Sequence, residues 1–325
     1  MISVVLPFRD ASSTLRTALE SVLAEPCVAE VITVDDGSVD ASRGVVEDLA
    51  RRDARVRIVA TGGVGVARAL ASGVAASRGE FVARMDADDV SHPNRITRAA
   101  AALEAEPALS AVGTQVESPS PSEGLAAYLA WQNALVTPEA IRRDVFVEAP
   151  LCHPSVTLRR AALEAVGGYR EAPWAEDWDL WLRLVTAGHA LGKIPEVLFT
   201  WTQRPGRVTS SDPRCSQRAF TAARAAYLPR ALPRDRPTWI WGAGKAGRSL
   251  ARELEPRGVA VAGFVDIDPA KIGRRARGAP IVAPDALPRE AFTLVCVAAR
   301  GARDVVVRRL AGAGREPGRD FLAAS

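Results

Sequence analysis

The chain is short of the residues that most often announce a cofactor. It has four cysteines, Cys27, Cys152, Cys215 and Cys296, and three histidines, His92, His153 and His189. No two cysteines form a CxxC pair, and none takes zinc-ligand spacing with a histidine. A disulfide scaffold and a structural zinc site are both excluded by this arithmetic, and reduced, buried thiols in a cytoplasmic protein are expected. Lysine is nearly missing: Lys193, Lys245 and Lys271 are the lysines among 42 basic residues. No stretch approaches the roughly 18 apolar residues of a membrane span. The opening Met1-Ile2-Ser3-Val4-Val5-Leu6 carries no basic leader, which argues against a secretory signal. No repeat of solenoid type is present. The net charge of +4 is too small for a general nucleic-acid binder, so none is expected as a partner.

What is present is an ordinary globular composition. Of 325 residues, 48% are apolar and 25% charged, which predicts folded structure in about two domains. Short β-rich runs at Ile2–Leu6, Val31–Val34, Val56–Val59 and Phe81–Met85 alternate with helical spacings at Thr14–Leu23, Val45–Arg52 and Val64–Ala76. That order predicts a mostly parallel sheet with helices on both faces. Ligand sites in such sheets gather at the carboxyl ends of strands. The unusual residues stand there: Arg9 and Asp10, Asp35 and Asp36, and the stretch from Asp86 to Asp89. Further helices are expected near Thr137–Val145, Arg159–Val166 and Asp177–Thr186, and a strand at Val197–Trp201. A basic, proline-punctuated stretch then leads to a boundary near residue 235. Within it Cys215–Leu228 reads as a helix. It either packs as a linker or meets anionic lipid through Arg214, Arg218, Arg224 and Arg230 beside Phe220, Tyr227 and Leu228.

Three acidic motifs carry the chemistry. Arg84-Met85-Asp86-Ala87-Asp88-Asp89 follows an apolar strand, and its carboxylates repel one another unless a hard cation or sugar hydroxyls occupy them. An acidic turn capping the helix that starts near Pro93 is the alternative. Asp35-Asp36-Gly37-Ser38-Val39-Asp40 follows another strand, where Asp36 can accept from a nucleobase N–H or simply serve a strand–turn–helix cap. Trp174-Ala175-Glu176-Asp177-Trp178-Asp179 sets a carboxylate pair at a helix start between indoles. It suits either a general base beside a sugar platform or a capped amphipathic helix.

Taken together, in their order along the chain, the three motifs resemble family 2 glycosyltransferases of the GT-A fold, from Ile2 to about Ser211. The opening strand Ser3-Val4-Val5-Leu6-Pro7-Phe8-Arg9-Asp10 is similar to theirs, as is Gly63-Val64-Gly65-Val66-Ala67-Arg68, with Ala69 in place of the usual asparagine. His153-Pro154-Ser155-Val156, Val166-Gly167-Gly168-Tyr169 and Glu176-Asp177 match the acceptor-side signatures. The resemblance implies that Asp36 holds the pyrimidine of a nucleotide-diphospho-sugar, with Pro7 and Arg9 lining that pocket. It implies that Arg68 approaches the base or diphosphate and that Ala87 sits in the donor site. Asp86 and Asp88 would bind ribose and Mg²⁺ or Mn²⁺. Asp177 would be the base that deprotonates a glycan or lipid-linked acceptor, with inversion at the sugar. Glu176 would support it, and His153 and Trp178 would lie on the acceptor side. Like charges and indoles around Asp177 should raise its proton affinity. The family's late histidine is replaced by Arg204, which leaves the third metal ligand in doubt and suggests a pairing of arginine with diphosphate. No Gln-x-x-Arg-Trp element is present, against a processive membrane-embedded synthase.

The last 90 residues restart an α/β pattern. Gly242-Ala243-Gly244-Lys245-Ala246-Gly247 fits GxGxxG between a strand at Thr238–Trp241 and a helix, and Asp266 follows Gly242 by 24 residues at the end of a second strand. A later strand is expected at Leu294–Ala298. The unit resembles a Rossmann-like domain, with Gly242, Gly244, Gly247 and Asp266 as candidate contacts to a second nucleotide. A packing module without ligand stays open. The expected division is a GT-A domain at 1–211, a helical linker at 212–236 and the Rossmann-like domain at 237–325. The competing reading is a non-catalytic nucleotide-sugar-binding or regulatory protein acting through that last domain. Residues 1–235 carry 26 basic and 29 acidic side chains, and residues 236–325 carry 16 and 9, so the basic surplus lies in the C-terminal part. A cytoplasmic protein, in peripheral contact with the inner membrane face through that part, is the expected setting.

Overall fold

The computed structural model describes residues 1–203, 212–297 and 301–325. The chain forms two compact units. The first takes in Met1–Pro138, Pro150–Ala172 and the stretch that begins at Ala187. The second takes in Glu139–Ala149, Pro173–Thr186 and the C-terminal part of the chain.

The first unit is built on an eight-stranded sheet: β1 (Ile2–Phe8), β2 (Val28–Asp35), β3 (Val56–Ala60), β4 (Phe81–Arg84), β5 (Val90–Ser91), β6 (Leu109–Glu117), β7 (Thr157–Arg159) and β8 (Ala190–Thr200). Their order is β3-β2-β1-β4-β7-β6-β8-β5. The β1–β4 half is parallel, as expected from the alternation. Antiparallel β7 joins it to β6, so the sheet is mixed, as in the GT-A fold. Every residue of β1 is buried, which requires cover on both faces. The helix Leu15–Leu23 buries Leu15, Ala18, Leu19 and Val22, one stripe at helical period, in the larger core with Val4, Leu6 and Phe8. On the other face Ala69 of the helix Val66–Ala76 packs on Ile32 and Val34. A buried carboxylate ties this core together: Glu25 accepts from the N–H groups of Ile96 and Thr97, both at 2.8 Å, at the start of the helix Arg95–Ala105.

The second unit carries a smaller sheet of β9 (Thr238–Trp241), β10 (Val261–Val265), β11 (Arg275–Ala276), β12 (Ala279–Val282), β13 (Phe292–Val295) and β14 (Phe321–Ala323). The order is β11-β12-β10-β9-β13-β14, parallel except at the β11 edge. The helix Gln217–Ala231 belongs to this unit, and its apolar side is buried there: Ala219, Ala223, Tyr227 and Leu228 are all enclosed. Arg224 is buried too, donating to the carbonyls of Phe146 at 2.7 Å and Val147 at 2.6 Å. Of the side chains nominated for lipid contact, Arg224, Tyr227 and Leu228 are thus committed to packing, while Arg218 and Arg230 are exposed. Periodicity did not anticipate β6, whose run of small and polar residues masks a buried strand. Ala298, the expected end of the late strand, lies outside the described residues.

Candidate functional site

The carboxyl edge of the first sheet gathers most of the expected donor-side residues. Strand β1 pairs with β2 on one side and β4 on the other, so the turns after these three strands are neighbours. Pro7 is buried within β1 and Arg9 stands just past it, 60% exposed at its side chain. The turns after β1 and β2 are laced by reciprocal bonds. Asp10 accepts from Val39 N–H at 2.8 Å, Asp40 accepts from Ser12 N–H at 3.0 Å, and Ser42 accepts from Ala11 N–H at 2.8 Å. Gly37 holds φ at +80°, and a Cβ there would meet the Gly63 nitrogen at 3.0 Å, so this turn requires glycine.

Asp36 is buried and does a job the sequence did not disclose. Its Oδ1 accepts from Thr61 Oγ at 2.8 Å, Gly63 N–H at 3.0 Å and Val64 N–H at 2.7 Å. Its Oδ2 accepts from Gly65 N–H at 2.9 Å. Burial pushes its carboxyl up, but Thr61 and the three backbone N–H groups outweigh that and hold it below the usual range. Asp36 thus fastens the 61–65 loop and starts the next helix, keeping a lone pair of Oδ2 for anything else. Arg9 Nη1 lies 3.8 Å from where a Gly63 Cβ would be, so it borders the same loop. Arg68, in the first turn of that helix, pairs with Glu171 at 2.6 Å, both half in solvent.

After β4 come Asp86, Ala87, Asp88 and Asp89. The ligand oxygens of Asp86, Asp88 and Asp89 lie within 4.8 Å of one another, the one such group among the described residues. Three hard oxygen donors at this spacing fit a divalent cation of the Mg²⁺ or Mn²⁺ kind. Buried Arg84 ion-pairs with Asp86 Oδ1, offsetting part of the repulsion, and Ala87 is enclosed beside them. Asp89 is buried and accepts from Thr202 N–H at 2.8 Å, tying the chain after β8 to the acidic turn. Arg84 and Asp89 stand within the acidic motif, but the sequence assigned neither a role of its own. The available signal was an arginine ending an otherwise apolar strand. Arg204 lies outside the described residues.

His153 is buried and its Nε2 is 2.8 Å from the Tyr169 hydroxyl. Burial and the nearby Arg84 push its pKa well below the ordinary histidine value, so it is neutral at pH 7. His92 Nε2 meets Thr200 Oγ at 2.8 Å and His189 Nδ1 meets Ser110 Oγ at 2.8 Å.

In the second unit Glu176 and Asp177 open the helix Glu176–Thr186, where negative charge suits the exposed N–H groups. Asp177 Oδ1 accepts from Trp178 N–H at 2.6 Å, and Glu176 pairs with Arg214 at 3.4 Å. Trp178 is 1% exposed and donates its indole N–H to the Val145 carbonyl at 2.7 Å.

The glycine turn of the second unit follows β9 as expected. A Cβ on Gly242 would sit 2.1 Å from the Cys296 carbonyl oxygen, and one on Gly247 would sit 1.9 Å from the Gly242 carbonyl oxygen. Gly244 has no neighbour within 4 Å of that position. Asp266 closes the turn from within, accepting from Ala243 N–H at 3.0 Å, Asp268 N–H at 3.0 Å and Lys271 Nζ at 3.1 Å. Burial raises its carboxyl, yet these donors keep it below the usual range.

Comparison with known proteins adds the following. The family model for glycosyl transferase family 2 matches residues 3–167. The O-antigen biosynthesis protein RfbC of Myxococcus xanthus is 32% identical over 204 residues, which is 61% of this chain and only 16% of that protein. Among solved structures, S. aureus TarS 1–349 in complex with UDP-GlcNAc superposes with a TM-score of 0.58 at 19% identity, covering 78% of this chain and 71% of that one. The mannosyltransferase PcManGT from Pyrobaculum calidifontis, in complex with GDP-Man and Mn²⁺, gives a TM-score of 0.52 at 19% identity, covering 70% and 62%.

Proposed function

The chain belongs to glycosyl transferase family 2, and from that premise we propose an inverting, metal-dependent transferase that moves a sugar from a UDP-sugar to a hydroxyl of a glycan or lipid-linked acceptor. The observation that carries this reading is the acidic trio Asp86, Asp88 and Asp89 on the same sheet edge as the Asp36–Arg9 turns. Asp86 and Asp88, with Asp89 behind them, would hold Mg²⁺ or Mn²⁺, whose charge offsets that building on the departing nucleoside diphosphate. The 61–65 loop, fixed by Asp36, and the buried Pro7 would form the wall for the pyrimidine, with Arg9 at its rim. Arg68 would exchange its exposed partner Glu171 for the donor, an exchange that costs little at the surface. Asp177, supported by Glu176, would take the proton from the acceptor hydroxyl. The acceptor oxygen then bonds to the anomeric carbon as the bond from that carbon to the diphosphate oxygen breaks. The electron pair leaves with the nucleoside diphosphate, and configuration inverts. His153, neutral and bonded to Tyr169, would shape the acceptor side, and the enclosed Trp178 would serve that side only by backing Asp177 from its own helix.

TarS was solved with UDP-GlcNAc and PcManGT with GDP-Man and Mn²⁺, which supports the donor class and the metal. RfbC is named for O-antigen biosynthesis, which supports a surface polysaccharide as the destination. We take residues 1–211 as the transferase domain, 212–236 as a helical linker and 237–325 as a Rossmann-like domain. The parallel order around β9 and the open space at Gly244 support a second nucleotide there, against Gly242, Gly247 and Asp266. Among the described residues no helix is long and apolar enough to cross a membrane. The exposed Arg274, Arg275 and Arg308 support peripheral contact with an anionic inner face of the membrane from the cytoplasm.

The test is a panel of nucleotide sugars scored by release of nucleoside diphosphate, with Mg²⁺, Mn²⁺ or chelator. Release from a UDP-sugar that needs the metal is expected. UDP binding without release from any donor would favour the non-catalytic binder instead.

A further inference from the structure

The acid pair stands on a helix beyond the segment matched by the family model, and part of that helix's surroundings is polar where packing alone would serve. Asp179, on the same helix, is fully enclosed. Its Oδ1 accepts from the Tyr227 hydroxyl at 2.5 Å and the Trp174 indole N–H at 2.9 Å, and its Oδ2 from Arg183 Nε at 2.7 Å. A carboxylate at that depth is tolerated only when each such bond is made, and a satisfied buried network admits one arrangement of its members. Tyr227 comes from the helix Gln217–Ala231, and Phe220 of that helix packs edge-on against Trp178 with ring centroids 5.0 Å apart. The Tyr227 hydroxyl is therefore one of the contacts that fix the rotation of the acid helix about its own axis, beside the Trp178–Val145 bond and the Trp178–Phe220 ring contact.

A second contact acts at the helix start. Arg214 lies in the turn Pro213–Cys215, and its Nη1 is 3.4 Å from Glu176 Oε2 while its Nε donates to Asp212 at 2.8 Å. Cys215 faces the same acids. Burial pushes its thiol up to about 11, and Asp177, Asp212 and Glu176 add to the rise while Arg214 opposes it. Among the described residues, the charged and titratable groups set against the pair are Arg214, Asp212 and Cys215 of the turn, with Asp179 two residues beyond Asp177 in their own helix.

We propose that Arg214 and Tyr227 are positioning residues for the transfer reaction: Arg214 holds Glu176 and balances the charge of the acid pair, and Tyr227, through Asp179, helps to fix the orientation of their helix. This rests on the assignment of Asp177 as the base. Each acts through another residue, Glu176 or Asp179, and both lie outside residues 3–167.

The experiment compares full-length Arg214→Gln, Arg214→Lys, Tyr227→Phe and Asp177→Asn. Each is assayed for kcat against pH on the UDP-hexose that gives release in the donor panel, for UDP affinity by tryptophan fluorescence, and for thermal midpoint. Removing a nearby cation disfavours the ionised form of the base, Asp177. Arg214→Gln should therefore shift the acid limb of kcat upward by about one pH unit. Arg214→Lys should restore the limb. Tyr227→Phe should lower kcat about tenfold or more with UDP affinity unchanged. A merely structural role would scale kcat without moving the limb. An unshifted limb in Arg214→Gln overturns the Arg214 assignment, and unchanged kcat in Tyr227→Phe overturns the other. Arg214 is partly exposed, so its variants report even where Tyr227→Phe unfolds. Full turnover by Asp177→Asn would sink the base assignment itself, whereas a dead Asp177→Asn with indifferent Arg214 and Tyr227 variants would sink only this proposal.

Discussion

Replacing Asp36 with asparagine tests whether this carboxylate builds the donor loop or merely decorates it. The substitution preserves shape and changes charge and one acceptor. With the amide oxygen at the Oδ1 position, the bonds from Thr61, Gly63 and Val64 survive as neutral ones, while an NH₂ group faces the Gly65 N–H where Oδ2 accepted at 2.9 Å. A bond to a charged group contributes about 1.5–3 kcal/mol, and its neutral equivalent roughly half as much. One bond lost and three halved would sum to several kcal/mol. Gly63 and Gly65 are exposed, however, so water can recover part of that. The expected loss is about 2–4 kcal/mol at pH 7. Urea unfolding with an unchanged slope would measure it, with UDP affinity falling in parallel as the 61–65 loop loosens. The native carboxyl lies below its usual range, so its contribution is complete above the unfolded value of about 3.9 and is lost as pH falls through the native one. The variant should lack that acid dependence. A loss under about 0.5 kcal/mol, with UDP affinity intact, would refute the reasoning, since it would mean the four bonds are replaced by solvent without cost.

Other outcomes follow from the same geometry. Asp177→Asn should cut transfer by about a thousandfold while UDP still binds, because a positioned base is worth roughly 10²–10⁴. Asp88→Asn should lose both turnover and its response to Mn²⁺, and Mn²⁺ titration of UDP binding checks it. Burial lowers the Lys193 ammonium to about 7 from the ordinary 10.5, so between those values the unfolded chain holds a proton that the native one has released. Stability from this group is therefore least below about pH 7 and rises toward 10.5. Lys193→Met should flatten the rise of the thermal midpoint over that range. Gly242→Ala places a Cβ 2.1 Å from a backbone oxygen at φ +119°, and it should destabilise the second unit by at least about 3 kcal/mol, read from Trp239 and Trp241 fluorescence.

Much of the site was legible because the relevant signals are local. A carboxylate cluster directly after an apolar run marks a strand end whatever the rest of the chain does. The alternation of strand and helix then implies that β1, β2 and β4 share an edge. The parallel register of Phe8 with Asp35 and of Val5 with Arg84 is the outcome of that pattern. The helix Glu176–Thr186 was likewise written in its stripe of Trp178, Trp181 and Leu182. Less was legible where local composition misleads. The strand β6 is buried through alanine, glycine and threonine as much as valine, and the sheet turns mixed only because β7 enters antiparallel.

The sequence by itself determined the family and the identity of the acidic residues that stand at the strand ends. Tertiary structure decided what those residues are bonded to. Asp36 looked free for a base but is spent largely on a loop 25 to 29 residues away. Arg68 waits on Glu171, a partner 103 residues on, and Asp179 is held by Tyr227 across 48 residues. A hydrogen bond depends on two groups meeting at about 3 Å. Motif spacing fixes only one of the two, and the fold supplies the other.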